Sequence, residues 1–180
     1  MSDNETFVAD VRRFTESVGC TTDRFNARQT ALYIGLQLEE MAEKLEACFQ
    51  SDTAITIAMR KVGDMFKAGE YDHRVEAANL AAMLDADIDL AWVTIGSALS
   101  QGADVLGAMR EVARANLAKL VVCDECGGSG FIVDATDETC DCHGCGCRGL
   151  VAVKDANGKV KKPEGWTAPD ITPFICGGGA

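Results

Sequence analysis

Positive charge, proline and aromatic side chains are all scarce in this chain. Against 28 Asp and Glu it carries only 17 Lys and Arg, a formal net charge of -11. A broad contact with nucleic-acid phosphates needs clustered cations to release counterions, so no extended nucleic-acid contact is expected. An acidic chain can still take a nucleotide when a divalent metal bridges the like charges. No stretch approaches the roughly 20 apolar residues of a membrane span. The opening "MSDNETF" lacks a basic segment followed by an apolar one, so the expected setting is the cytoplasm, with no membrane contact. Of three prolines none stands before Pro163, which leaves a long stretch free to be helical.

That stretch is patterned accordingly. Phe7, Val11, Phe14 and Val18 recur at three to four residues and stop at Gly19, the signature of an amphipathic helix. A second helix is predicted from near Thr22 or Asp23 through "NARQTALYIGLQLEEMAEKLEACF". A third, "TAITIAMRKVGDMFKAG", follows a cap at Ser51-Asp52 and closes at Gly69. The fourth and longest is predicted over "DHRVEAANLAAMLDADIDLAWVTIGSALSQG", and the fifth over "ADVLGAMREVARANLAKLV". Long helices with short connections predict an all-α antiparallel bundle over residues 1–121. Composition then changes abruptly to Gly, Cys and Asp, marking a small cysteine module over 122–150. Residues 151–180 read as a short hairpin about Asn157-Gly158 and a loosely held end.

Within the second helix, "LQLEEMAEKLEA" places Glu39, Glu40 and Glu43 on what otherwise reads as a buried side. At about 100° per residue Glu40 and Glu43 are roughly 60° apart and one turn apart, so two oxygen donors can share a cation. Glu39 lies on the other side of Glu43, where it can bind or orient. The same run also fits a solvated face on which Glu40 pairs with Lys44. On the fourth helix Asp85 and Asp89 share a face, and the apolar "LAWVTIGSAL" after Asp89 predicts entry into the core, with Trp92 inside it. If the second and fourth helices pack together, their acids form a self-repelling cluster whose hard oxygens select Mg²⁺ or Mn²⁺.

"QTALYIGLQLEEMAEKLEA", "MLDADIDLAWVTIGSALSQGAD" and "MREVARANLAKL" together resemble the MazG-like all-α nucleoside triphosphate pyrophosphohydrolases. The nearest flavour is the phosphoribosyl-ATP pyrophosphohydrolase-like branch often found in bacteriophages, and the resemblance covers about residues 5 to 121. It implies an ExxE pair and an ExxD pair holding Mg²⁺. Glu40 and Glu43 match the first, Asp89 matches the aspartate of the second, and Ala86 stands where the second glutamate belongs. Asp85, one position earlier, is the substitute. The resemblance also implies an NxxK pattern near the phosphates, matched by Asn116 and Lys119 with Arg114 nearby.

The reaction implied is cleavage of a nucleoside triphosphate between its α and β phosphates, giving a monophosphate and pyrophosphate. Glu39, Glu40 and Glu43 would be the catalytic carboxylates, with Glu39 or Glu43 accepting the proton of the attacking water. Gln29 and Tyr33 fall within about 20° of Glu40 around the helix and can line a nucleotide pocket, or else serve the fold. The family implies a site completed between subunits, hence a homodimer or homotetramer.

Nine cysteines without a secretion signal are better explained as reduced thiols or metal ligands than as disulfides. Cys20, Cys48 and Cys176 are scattered and read as small apolar or surface residues. "CDECGGSG" and "CHGC" set two CxxC pairs, Cys123 with Cys126 and Cys142 with Cys145, which can close a tetrahedral thiolate site for a structural Zn²⁺. The first pair resembles the CxxCxGxG repeat of the cysteine-rich module in J-domain co-chaperones, and in the second Cys147 takes a glycine position. Cys140, Cys147 and His143 are spare candidates, and quartets such as one with Cys140 remain open, as does an iron-sulfur cluster. The rival to an enzyme is a non-catalytic dimeric adaptor whose zinc module grips a protein or nucleic-acid partner, and Ala86 is the residue that favours it.

Overall fold

The computed structural model describes residues 3–133, 138–155 and 160–175, which leaves Cys176 and the Asn157-Gly158 turn outside the described residues. The chain is mostly helical, with small antiparallel sheets near its C-terminal end. It divides into two compact units, residues 21–87 and residues 1–20 with 88–180.

In the first of these, α2 (Ala27–Phe49) and α3 (Ala54–Ala68) form a helical hairpin. α2 begins later than the sequence predicts. The Asn26 side chain accepts from the Gln29 backbone N–H at 3.0 Å, and Gln29 clamps the preceding loop through Thr21 N at 2.8 Å and Thr21 O at 2.7 Å. α3 is capped by Thr53 rather than Ser51-Asp52, because Thr53 and Thr56 form a reciprocal capping box. The helices cross where both lack side chains. A Cβ on Gly35 would stand 2.7 Å from the Gly63 carbonyl oxygen, and one on Gly63 would stand 2.9 Å from that of Gly35.

Ala31, Ala42 and Thr56 are buried beside this crossing. Glu46 and Arg60 join the hairpin by a bidentate pair, with Arg60 Nε donating to Glu46 Oε1 at 2.8 Å. Arg28 donates to the last carbonyls of α3, those of Phe66 and Lys67, and lies 3.5 Å from Asp72.

The long fourth helix predicted from Asp72 is broken at its start. Asp72–Arg74 and Ala77–Asn79 are single 3-10 turns, and α4 runs over Leu80–Ser100. The Asn79 side chain accepts from the Ala82 N–H at 3.1 Å, the cap geometry that starts a helix there. The expected core entry after Asp89 is not found: none of the described residues of α4 is buried, and Trp92 is 76% exposed. Along the run Leu84, Ile88, Trp92 and Val93 are all exposed. No helix among the described residues is long and apolar enough to cross a membrane.

In the other unit α1 (Asp3–Ser17) packs on α5 (Val105–Leu117), with Phe7 facing Leu106 and Met109. Asp104 caps α5, accepting from Gly107 N–H at 3.0 Å. The chain then enters two short antiparallel ladders. β1 (Leu120–Val122) pairs with β4 (Leu150–Ala152), placing Val122 opposite Leu150. β2 (Phe131–Val133) pairs with β3 (Thr139–Asp141), placing Phe131 opposite Asp141.

A bridge between Lys154 and Val160 continues the path. Trp166 and residues 167–175, the latter read from sequence as part of a loosely held end, return antiparallel along α5. Trp166 Nε1 donates to Ala115 O at 2.6 Å, Asp170 N to Glu111 Oε1 at 3.2 Å and Asp104 N to Phe174 O at 2.7 Å.

Candidate functional site

The two CxxC turns sit at matching positions beside the ladders and build one constellation. Cys123, Cys126, Cys142 and Cys145 bring their sulfurs within 4.8 Å of one another, the one such group of metal-capable side chains among the described residues. The Sγ atoms of Cys123 and Cys142 are 3.8 Å apart, and those of Cys126 and Cys145 are 3.7 Å apart. A tetrahedral site with Zn–S bonds of about 2.3 Å requires sulfurs about 3.8 Å apart, so the spacing fits a metal ion such as zinc. All four are free thiols. Cys140 is outside the quartet, with its thiol directed at the Ile132 carbonyl 3.5 Å away, and Cys147 and His143 are exposed.

Each half supports the other in the same way. Gly130 N–H donates to Cys126 Sγ at 3.3 Å and Gly149 N–H to Cys145 Sγ at 3.2 Å. Cys123 N donates to Gly149 O at 2.9 Å and Cys142 N to Gly130 O at 3.0 Å. The halves touch backbone to backbone. A Cβ on Gly130 would lie 2.5 Å from the Cys147 carbonyl oxygen, and one on Gly149 would lie 2.2 Å from that of Gly128. Cys147, occupying the glycine position of the second half, has φ +65°, where its counterpart Gly128 has φ +91°.

The thiols compete for ionisation. Burial works against the Cys126 thiolate, but the N–H groups of Gly130 and Gly128 and the neighbouring thiols bring it down to about 6. The Cys145 N–H favours a thiolate at Cys142, yet burial and the three surrounding thiols push it up to about 12. Four thiolates crowded this closely need a cation to neutralise them, which is the chemistry of a closed tetrathiolate site.

The acidic residues lie elsewhere. On α2, Glu40 and Glu43 are exposed and Glu39 is half-buried. Glu39 meets Lys67 at 3.0 Å, and Lys67 also meets Asp64 at 2.9 Å. Burial opposes the charge on Lys67, but Asp64 and Glu39 outweigh it and hold its ammonium above its ordinary range. Asp85 and Asp89 are exposed on α4. Gln29 is occupied by Thr21, and Tyr33 is partly exposed on α2.

In the turn after α5, Lys119 Nζ donates to Asn116 Oδ1 at 2.8 Å, so the NxxK pair is joined, and the same ammonium lies 5.6 Å from the Trp166 ring. Lys162 stands 4.4 Å over that ring. Sequence reasoning missed this tryptophan as a neighbour of Lys119, because the two are brought together only by the returning C-terminal segment.

Comparison with protein-family models, with curated proteins and with solved structures finds no match to this chain.

Proposed function

We propose that the chain is a Mg²⁺-dependent nucleoside triphosphate pyrophosphohydrolase that works as a homo-oligomer and carries a structural zinc module. The reading rests on the order of motifs along the chain, and the observation that carries it is the acidic face of α2. Glu40 and Glu43 are exposed one turn apart on one helix and offer hard oxygen donors of the kind Mg²⁺ takes.

In this reading Glu40, Glu43, Asp85 and Asp89 are the metal ligands. Mg²⁺ or Mn²⁺ held there would supply charge neutralisation along the triphosphate and an activated water. Glu43 would accept the proton of the attacking water, while Glu39, already fixed by Lys67, would orient the neighbouring carboxylates. Lys119, steered by Asn116, binds phosphate oxygens.

Two further observations support the accompanying assignments. The uncovered apolar length of α4, with Leu84, Ile88, Trp92 and Val93 all exposed, suits burial against a second copy. The sulfur spacing suits zinc, and a closed tetrathiolate leaves no position for a reacting water, so its role is structural. The expected setting is the cytoplasm, that of the host if the chain is phage-encoded. A non-catalytic adaptor is the rival, favoured by Ala86 at the position of the missing acid.

Pyrophosphate release from a panel of nucleoside triphosphates with Mg²⁺ decides between them. Turnover by the wild type that falls at least a hundredfold in Glu40→Gln supports the enzyme. No turnover on any nucleotide, or undiminished turnover in Glu40→Gln, removes it.

A further inference from the structure

Arg12 and Arg13 of α1 and Arg148 of the cysteine module line one open cleft of about 680 Å³, together with Val8, Glu16 and Ser17. In a chain of net charge -11 this is a local reversal of sign. Glu16 lies 3.7 Å from Arg12, whereas Arg13 and Arg148 make no ion pair among the described residues. Three guanidiniums against one carboxylate leave positive charge in excess, and like charges gathered on one cavity repel until an anion joins them.

A second observation points the same way. Ser17, one of the residues lining the same cleft, is only 7% exposed, and its buried Oγ has no hydrogen-bond partner among the described residues. A buried hydroxyl is ordinarily paired, so an unpaired one in a residue that lines this arginine cleft is an unused donor.

We propose that this cleft binds a phosphate-bearing small molecule directly through guanidiniums, without a metal. Arginine rather than lysine at all three positions suits the planar, two-pronged recognition of phosphate oxygens. The exposed Val8 side chain gives the non-phosphate part of the ligand an apolar wall. The volume falls in the range of small-molecule sites, about 300–1,000 Å³. The site is separate from the Mg²⁺-dependent centre proposed above and stands or falls without it.

The test is calorimetric titration of the zinc-loaded full chain with inorganic tripolyphosphate, in the absence of Mg²⁺. Wild type is expected to bind one equivalent. The double variant Arg13→Gln/Arg148→Gln weakens binding at least tenfold, with zinc content and circular dichroism unchanged, because both arginines are exposed. Glu40→Gln binds as wild type does. Undiminished binding by the double variant overturns the proposal, as does loss of binding in Glu40→Gln alone, which would place the phosphates at the acidic helices. A single-stranded RNA octamer that binds more tightly than tripolyphosphate through the same two arginines also overturns it, since the ligand would then be a nucleic acid.

Discussion

Gly149→Ala is expected to lower the zinc affinity of the cysteine module by roughly 30- to 700-fold. A Cβ at residue 149 would stand 2.2 Å from the Gly128 carbonyl oxygen, and the two halves can relieve that contact only by moving apart. Overpacking of this kind costs about 1–3 kcal/mol. The backbone at φ +73° adds about 1 kcal/mol for a side chain in the left-handed region. Together these give about 2–4 kcal/mol, and about 1.4 kcal/mol is a factor of ten in affinity.

Gly127→Ala separates the two contributions. That residue has φ +58° and nothing within 4 Å of its added Cβ, so only the conformational part remains, about fivefold. Cys147→Gly runs the other way, tightening zinc by about fivefold as it relieves a side chain at φ +65°. Competition of the full chain against a chromophoric zinc chelator measures all three. Cobalt substitution reports whether the tetrathiolate geometry survives. Equal affinities for Gly149→Ala and Gly127→Ala would refute the idea that backbone contact between the halves shapes the site.

Two other outcomes follow from surfaces and charges. If α4 is covered by a second copy, Ile88→Ser removes about 2 kcal/mol of apolar burial and raises the dissociation constant roughly 30-fold. Sedimentation over a dilution series measures it, and a wild type that stays monomeric at every concentration ends the idea. Acid should release the C-terminal segment from α5. The Arg114 guanidinium holds the Glu111 carboxyl down to about 2 against a usual 4.5, burial opposing and the Asp170 N–H assisting. A carboxyl depressed on folding contributes in full above 4.5 and loses its contribution as pH falls toward 2. Trp166 fluorescence in a Trp92→Phe background should therefore change across that window, and Glu111→Gln should abolish the transition. A fluorescence profile unaltered by Glu111→Gln counts against the linkage.

What could be read in advance was local. The apolar periodicity of α1 and the glycine stops at Gly19 and Gly69 depend on near neighbours, and the observed helices end there. The cysteine pairs were legible for the same reason, since CxxC spacing is a property of one turn. The choice of quartet was not, because it depends on ladders that align Cys123 with Cys142 and leave Cys140 on the outside of a strand. α4 starts at Leu80 rather than at Asp72 because Asn79 supplies the cap and the preceding residues are taken up by two 3-10 turns, a choice the linear pattern does not show. Nothing in a linear reading joins Arg13 to Arg148 or Trp166 to Ala115, and the burial of Ser17 without a partner exists only once the chain has folded.

The path of residues 166–175 has a mechanical consequence. The chain leaves α5 at its C-terminal end, makes its excursion through the cysteine module, and returns to bond the same helix at Ala115, Glu111 and Asp104. Tension applied beyond Ile175 is therefore carried by α5 in shear, through several bonds loaded together, and bypasses the CxxC turns. A processive unfolding machine engaging that end would have to strip the strap from the helix before it could reach a single cysteine of the quartet.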